Sequence, residues 1–235
     1  MKIKSLLLFA TIVAFSAASC QQGISGKKVN LKSEHDSTSY ALGILIGQQN
    51  KQGLENFPGG SDLDVTIMAQ AFLQYLKGEE TQMDPTEANE VVGKFFESAN
   101  NREAQKNLEE GNAFLEKNKS RSGVVTTESG LQYEVITKGE GPLPTENDVV
   151  KVHYHGTLID GKVFDSSVDR GEPVEFQLGQ VIPGWVEALK LMPVGSKWKI
   201  FIPGNLGYGE RGAGGDIGPN SVLIFDVELI DIVTE

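Results

Sequence analysis

Residues Val181-Ile182-Pro183-Gly184-Trp185 join two kinds of structure, and most of the second half of the chain has to be arranged around that join. Two branched apolar residues suit the end of a strand or a loop, and the Pro-Gly pair stops it. Trp185 to Lys190 then reads as one or two helical turns. Trp185, Ala188 and Leu189 fall at i, i+3 and i+4, so the short helix has one apolar face. Strand-like runs lie to either side, at 149–154, 161–164, 174–178, 197–202 and 221–230, and a sheet made of them can wrap the helix. The indole is then either a core residue or the floor of a pocket.

The surrounding sequence fits such a sheet. From Ser120–Thr127 onward Gly and Pro recur at short intervals (Gly139, Gly141, Pro142, Pro144, Gly156, Gly161, Gly171, Pro173, Gly179), the mark of an antiparallel sheet with turns. Residues 130–136 alternate as a half-buried strand, and 222–230 alternate through Val222, Ile224, Asp226, Glu228 and Ile230. The expected class is α+β, with an antiparallel sheet curled around a short helix over residues 120–235.

The first half reads as helices. One is expected over 33–47, capped by Ser37, Thr38 or Ser39, then a loop at 56–62 and a second helix over 63–76 stopped by Gly78. Asp84-Pro85 opens a third, which meets no proline before Asn118. A helix of ~35 residues would be roughly 50 Å long. Val91, Val92, Phe95, Phe96 and Ala99 give it an apolar patch, and beyond Ala99 it turns polar. That predicts a solvated helix bridging two bodies, or two helices broken near Gly111. Residues 33–83 are too few to bury their own apolar positions, so they are expected to form a homodimer, with 84–119 as a connecting helix.

The amino-terminal end reads as a processing signal. Lys2 and Lys4 precede a short apolar run, and Cys20, the only cysteine, follows Ala17-Ala18-Ser19. This resembles a bacterial lipoprotein cleavage site, with 1–19 removed, Cys20 lipidated and 20–32 a flexible tether. The resemblance implies a chain held at the cell envelope, at an outer membrane, by its lipid anchor alone. A formal net charge of −11 argues against nucleic acid as partner.

The candidates for chemistry are few. No Gly-x-Ser-x-Gly elbow is present. His153 and His155 share a strand face, but no third ligand is placed to complete a metal site. Residues 207–212 spell Gly-x-Gly-x-x-Gly, yet Gly214, Gly215 and Pro219 follow where a phosphate-binding helix is needed. Neither metal nor cofactor is therefore expected. What remains is an apolar, aromatic set with polar tips: Tyr154, Phe164, Asp165, Val181, Ile182, Trp185, Tyr208 and Phe225. It suits an apolar ring held together with one carbonyl.

At these residues the chain resembles the FKBP-type peptidyl-prolyl cis-trans isomerases. The matching stretches are 152–156 (Val-His-Tyr-His-Gly), 161–167 (Gly-Lys-Val-Phe-Asp-Ser-Ser), 181–185, 192–195 (Met-Pro-Val-Gly), Ile202-Pro203, Tyr208-Gly209 and 225–229 (Phe-Asp-Val-Glu-Leu). Residues 39–43 and the long helix running into 130–133 resemble the dimerising half of the macrophage infectivity potentiator-like branch. The resemblance implies a prolyl isomerase acting on proline-containing polypeptides. It implies catalytic roles for Asp165, Tyr208 and the Ile182 N–H, and substrate contacts from Tyr154, Phe164, Arg170, Val181, Trp185, Ile217 and Phe225. It further implies pairing of Asp165 with Arg170 and binding of macrolide-type inhibitors. Val174 stands where the family often has an aromatic wall, and the 210–218 loop is unusually rich in glycine. The alternative is a chaperone or binding module that uses the same pocket without catalysis.

Overall fold

The computed structural model describes residues 28–233; the expected signal at 1–19, Cys20 and most of the tether lie outside the described residues. By their internal contacts these residues form two units, one of 28–42 with 64–81 and one of 43–63 with 82–233.

Helix α1 spans Glu34–Asn56, well past the expected end at Gly47. Its cap is Ser33, not Ser37, Thr38 or Ser39. The Ser33 Oγ accepts from the Asp36 N–H at 3.1 Å while an Asp36 carboxylate oxygen accepts from the N–H groups of Ser33 and Lys32 at 3.0 Å. This reciprocal pairing satisfies donors that a helix start otherwise leaves open. Helix α2 (Val65–Lys77) is capped by Asp64 and ended by Gly78 in the left-handed region, as its sequence requires. In the first unit Tyr40, Leu42, Ile67, Phe72, Leu73 and Leu76 are all exposed.

Helix α3 runs unbroken over Pro85–Asn118, with a complete capping box between Asp84 and Glu87. Gly111 does not break it. A Cβ there would lie 2.8 Å from a methyl of Val222, so glycine marks a close approach between α3 and the sheet domain. The polar second half of α3 is not solvated all round, as its composition suggested. Phe114 packs near Phe201 with ring centroids 6.0 Å apart. The buried Asn118 amide donates to Gln132 Oε1 at 2.8 Å, and Gln132 in turn donates to the Leu115 carbonyl at 2.9 Å. A stripe of polar and small residues docks here, which a search for apolar periodicity does not detect.

The sheet is antiparallel and seven-stranded: β1 (Val124–Thr126), β2 (Gln132–Thr137), β3 (Val149–Thr157), β4 (Val163–Ser166), β5 (Val174–Gln177), β6 (Lys197–Ile202) and β7 (Leu223–Val233). Its order is β1-β2-β6-β7-β3-β4, with β5 also on β3. Strand β3 is shared lengthwise, since Val149–Val152 pair with β5 and His155–Thr157 with β4. Burial alternates along β3, so Val152 and Tyr154 face the core while His153 and His155 do not. A short helix α4 (Ser167–Arg170) follows β4 directly. Helix α5 covers Pro183–Leu191, with Pro183 in its first turn, where a missing N–H costs nothing. Its Trp185, Ala188 and Leu189 are buried with Val150, Val152, Ile200, Phe225 and Val227 of the sheet. The sheet thus closes over α5, as residues 181–190 predicted.

Candidate functional site

A cavity of about 550 Å³ opens where α5 leaves the sheet uncovered. Tyr154 from β3, Phe164 and Asp165 from β4, Val181, Ile182 and Trp185 at the head of α5, Tyr208, Ile217 and Phe225 all line it. Of the residues singled out in the sequence, only Arg170 is not in the lining. Phe176, Gln180, Ala213, Gly214 and Asp216 line it too, and none of the five is among the site residues that the sequence points to.

The floor is a set of edge-to-face rings. Trp185 lies 5.3 Å from Tyr154, 5.7 Å from Phe176 and 5.2 Å from Phe225, with interplanar angles of 81–87°. Phe164 meets Phe225 at 5.3 Å and 88°. Such pairs place the positive edge of one ring on the negative face of the next, so the box holds its shape when empty. Gly156 makes room for it, because a Cβ there would come within 2.9 Å of both Phe164 and Phe225. The aromatic wall expected and not found at Val174 is supplied by Phe176. Val174 packs against the core, and Phe176, two residues on along β5, reaches Tyr154 and Trp185. A period-2 reading of β5 places both residues on one face, and that signal was available.

One rim is polar and tightly held. The Tyr154 hydroxyl donates to one Asp165 oxygen, Arg170 Nη1 donates to the other, and Arg170 Nη2 donates to the Tyr154 hydroxyl at 2.9 Å. Arg170 therefore stands behind Asp165, its guanidinium 5.7 Å from the centre of the Tyr154 ring. Burial pushes the Asp165 carboxyl up, but the hydrogen bonds from Tyr154 and Arg170 and the arginine charge outweigh it. The net effect holds Asp165 below the ordinary carboxylate value. Burial, together with the bond to Asp165, pushes the Tyr154 phenol above its ordinary value. Asp165 is thus a fixed anion at the cavity edge.

Tyr208, also in the lining, is 42 % exposed. Ile182 caps α5 through its carbonyl, which accepts from the N–H groups of Trp185 and Val186; among the described residues its own N–H has no partner. Among the residues that line the cavity, no nucleophile stands beside a base, and the one anion at its edge is held by Tyr154 and Arg170. His153 and His155 have their Nδ1 atoms 3.0 Å from the Ser167 and Ser166 hydroxyls, outside the cavity. No cluster among the described residues could hold a metal ion. Residues 207–212 form 3-10 turns and no α-helix, so the glycine pattern there has no phosphate-binding helix end.

Comparison with known proteins meets this geometry from outside. Residues 141–230 match the family described as FKBP-type peptidyl-prolyl cis-trans isomerase, and residues 35–135 match the domain amino terminal to it. Outer membrane protein MIP of Legionella longbeachae is 39% identical over 237 residues, covering 98% of each chain. The FKBP-type 22 kDa peptidyl-prolyl cis-trans isomerase of Escherichia coli is 46% identical over 199 residues, 83% of this chain and 94% of that one. Among solved structures, FkpA from Escherichia coli superposes with a TM-score of 0.65 at 37% identity, covering 86% of this chain and 98% of that one.

Proposed function

Because the chain belongs to the FKBP-type peptidyl-prolyl cis-trans isomerases and turns over X–Pro bonds in polypeptides, we propose that the cavity floored by Trp185 is where it does so. The carrying observation is the aromatic box closed on one rim by an anchored anion. The proline ring packs on Trp185 between Tyr154, Phe176 and Phe225. The Ile182 N–H and the Tyr208 hydroxyl hold carbonyls of the bound chain, and Asp165 sits beside the carbonyl of the rotating amide.

Rotation about an X–Pro amide meets a barrier of ~18–20 kcal/mol because resonance is lost at the halfway point. The twisted amide is less dipolar than the planar one. A site that replaces water with aromatic carbon therefore stabilises the transition state more than the ground state. No proton moves and no covalent bond forms, which agrees with a cavity that has neither a general base nor a nucleophile. Each tenfold acceleration takes only ~1.4 kcal/mol of such preference. The test is catalysed exchange of short X–Pro peptides by NMR, with Asp165→Ala and Tyr208→Phe beside the wild type. Wild type that speeds exchange, with both variants slowed, supports the site; equal rates in all three place catalysis elsewhere.

We propose further that 33–83 forms a homodimer, that 84–119 connects it to an isomerase domain over 120–235, and that Cys20 carries a lipid anchor at the cell envelope. The exposed apolar faces of α1 and α2 support the first part. The full-length match to a relative named an outer membrane protein supports the last. The clients are then exported polypeptides, and macrolide-type inhibitors are expected to compete for the aromatic box. Labelling of the full chain with a radioactive fatty acid, lost in Cys20→Ser, tests the anchor.

A further inference from the structure

The outer wall of the cavity, residues 208–217, is built from loop. Its hairpin is closed by the Ala213 and Ile217 amides, each donating to the other's carbonyl at 2.9 and 3.1 Å. Beyond it the chain turns at Pro219-Asn220, and Asn220 is the one non-glycine residue with positive φ (54°) among the described residues. Asparagine tolerates this region better than most residues, but it still has to be held there. From that turn the Asn220 N–H donates to the Gly209 carbonyl at 2.8 Å, immediately next to Tyr208.

The turn is held from outside by α3. Asn107 Nδ2 donates to the Pro219 carbonyl at 2.9 Å, and Asn220 Nδ2 reaches the Ala104 carbonyl at 3.5 Å. A Cβ on Gly218 would lie 2.6 Å from a Glu103 carboxylate oxygen and 3.0 Å from Asn107 Nδ2, so the side chains of α3 lie directly on the loop backbone there. One turn on, Gly111 meets Val222. Glu103, Asn107 and Gly111 recur every four residues and form one face of α3.

We infer that Asn107 is a positioning residue for the prolyl site: α3 fixes the Pro219-Asn220 turn, the turn fixes Gly209, and Gly209 sets where Tyr208 stands over the cavity. The helix between the two halves of the chain is then a working part of the substrate site as well as a connection. This rests on the assignment of the cavity to X–Pro turnover. It adds that binding of even a short peptide depends on a residue that never touches it.

The test uses the full chain with Asn107→Leu, which keeps the branched shape and removes the donor, and Asn107→Asp, which sets a carboxylate against the Pro219 carbonyl. The KM for a short X–Pro peptide is expected to rise about three- to tenfold in both, the scale of one hydrogen bond, with kcat within about twofold. Amide hydrogen exchange should quicken at Asn220 and stay at the wild-type rate along β3 and β7. Unchanged KM with unchanged exchange at Asn220 overturns the inference. So does a uniform loss of protection across the sheet, which would make Asn107 merely structural. A wild type that does not speed peptide exchange at all refutes the isomerase site instead, and Asn220 exchange in the two variants still decides whether α3 holds the turn.

Discussion

Arg170 Nη2 donates to the Tyr154 hydroxyl at 2.9 Å, and that hydroxyl donates onward to Asp165, which Arg170 also grips through Nη1. The three side chains form a closed ring, so Asp165 cannot swing toward a substrate, nor can Tyr154 release its proton cheaply. The geometry makes the carboxylate a fixed charge. Asp165→Ala should lower kcat/KM for X–Pro peptides by about tenfold, the scale of one charge-assisted hydrogen bond. It also leaves the buried Tyr154 hydroxyl without its acceptor, so unfolding in urea should show a loss of about 1–2 kcal/mol. Wild-type kcat/KM in Asp165→Ala would remove the residue from the site.

The pH dependence follows from the same ring. The folded-state pKa of Asp165 lies below its ordinary 3.8, so its contribution is complete above that value and lost as pH falls through the folded pKa. The folded-state pKa of Tyr154 lies above 10.0, so its contribution is complete below that value and lost as pH rises through the folded pKa. Between these limits neither group changes charge. Measured kcat/KM should be level from about pH 5 to 9, where acid–base catalysis typically gives a bell. A limb with an apparent pKa near neutrality would require a titrating group that the cavity does not contain.

The site was legible in the sequence because it is built from short local motifs. Tyr154 falls on the buried face of an alternating strand, Asp165 near the end of β4 and Ile182-Trp185 at the head of α5, where the Pro183-Gly184 pair fixes the start of the helix. Phe176 is not marked by any of the motifs because it stands one β-period beyond Val174, on a strand of only four residues. The docking of α3 was not legible for a physical reason. Apart from Phe114, its contact face is Glu103, Asn107, Gly111 and Asn118, which is held by amide hydrogen bonds and close approach at a glycine, and neither leaves an apolar period. The same segment read alone looks solvated. The Ser33 cap was overlooked because three further hydroxyl residues follow at 37–39 and Asp36 was not recognised as its partner.

Gly111 tests how tightly α3 is docked. In an isolated helix Gly→Ala gains about 0.5–1 kcal/mol. Here the added methyl would lie 2.8 Å from Val222 Cγ2, so Gly111→Ala should destabilise the folded chain by roughly 1 kcal/mol instead. In a Val222→Ala background the space is free and the same change should become neutral or stabilising. Denaturation of the four proteins closes the double-mutant cycle. A coupling term near zero would mean that helix and strand part easily at this point.

The amino-terminal half gives the last prediction. Val65 is 65 % exposed and Phe72 49 %, and Met68, Leu73 and Leu76 are open beside them on α2. No residue of α2 is buried, although its sequence is as apolar as a core helix. A soluble chain rarely leaves so continuous a face to water, and a second copy of this chain covers it without any new chemistry. Phe72→Glu sets a charge in that face and should convert the dimer to monomer in sedimentation at micromolar concentration. Peptide exchange should remain within about twofold of wild type, because every residue lining the cavity belongs to the other unit. Refolding of a protein limited by a slow X–Pro step should instead suffer several-fold, since two linked sites raise the effective concentration of one around the client. A wild type that sediments as a monomer would refute the dimer outright. A monomeric variant with full activity on the protein client would keep the dimer and remove its purpose.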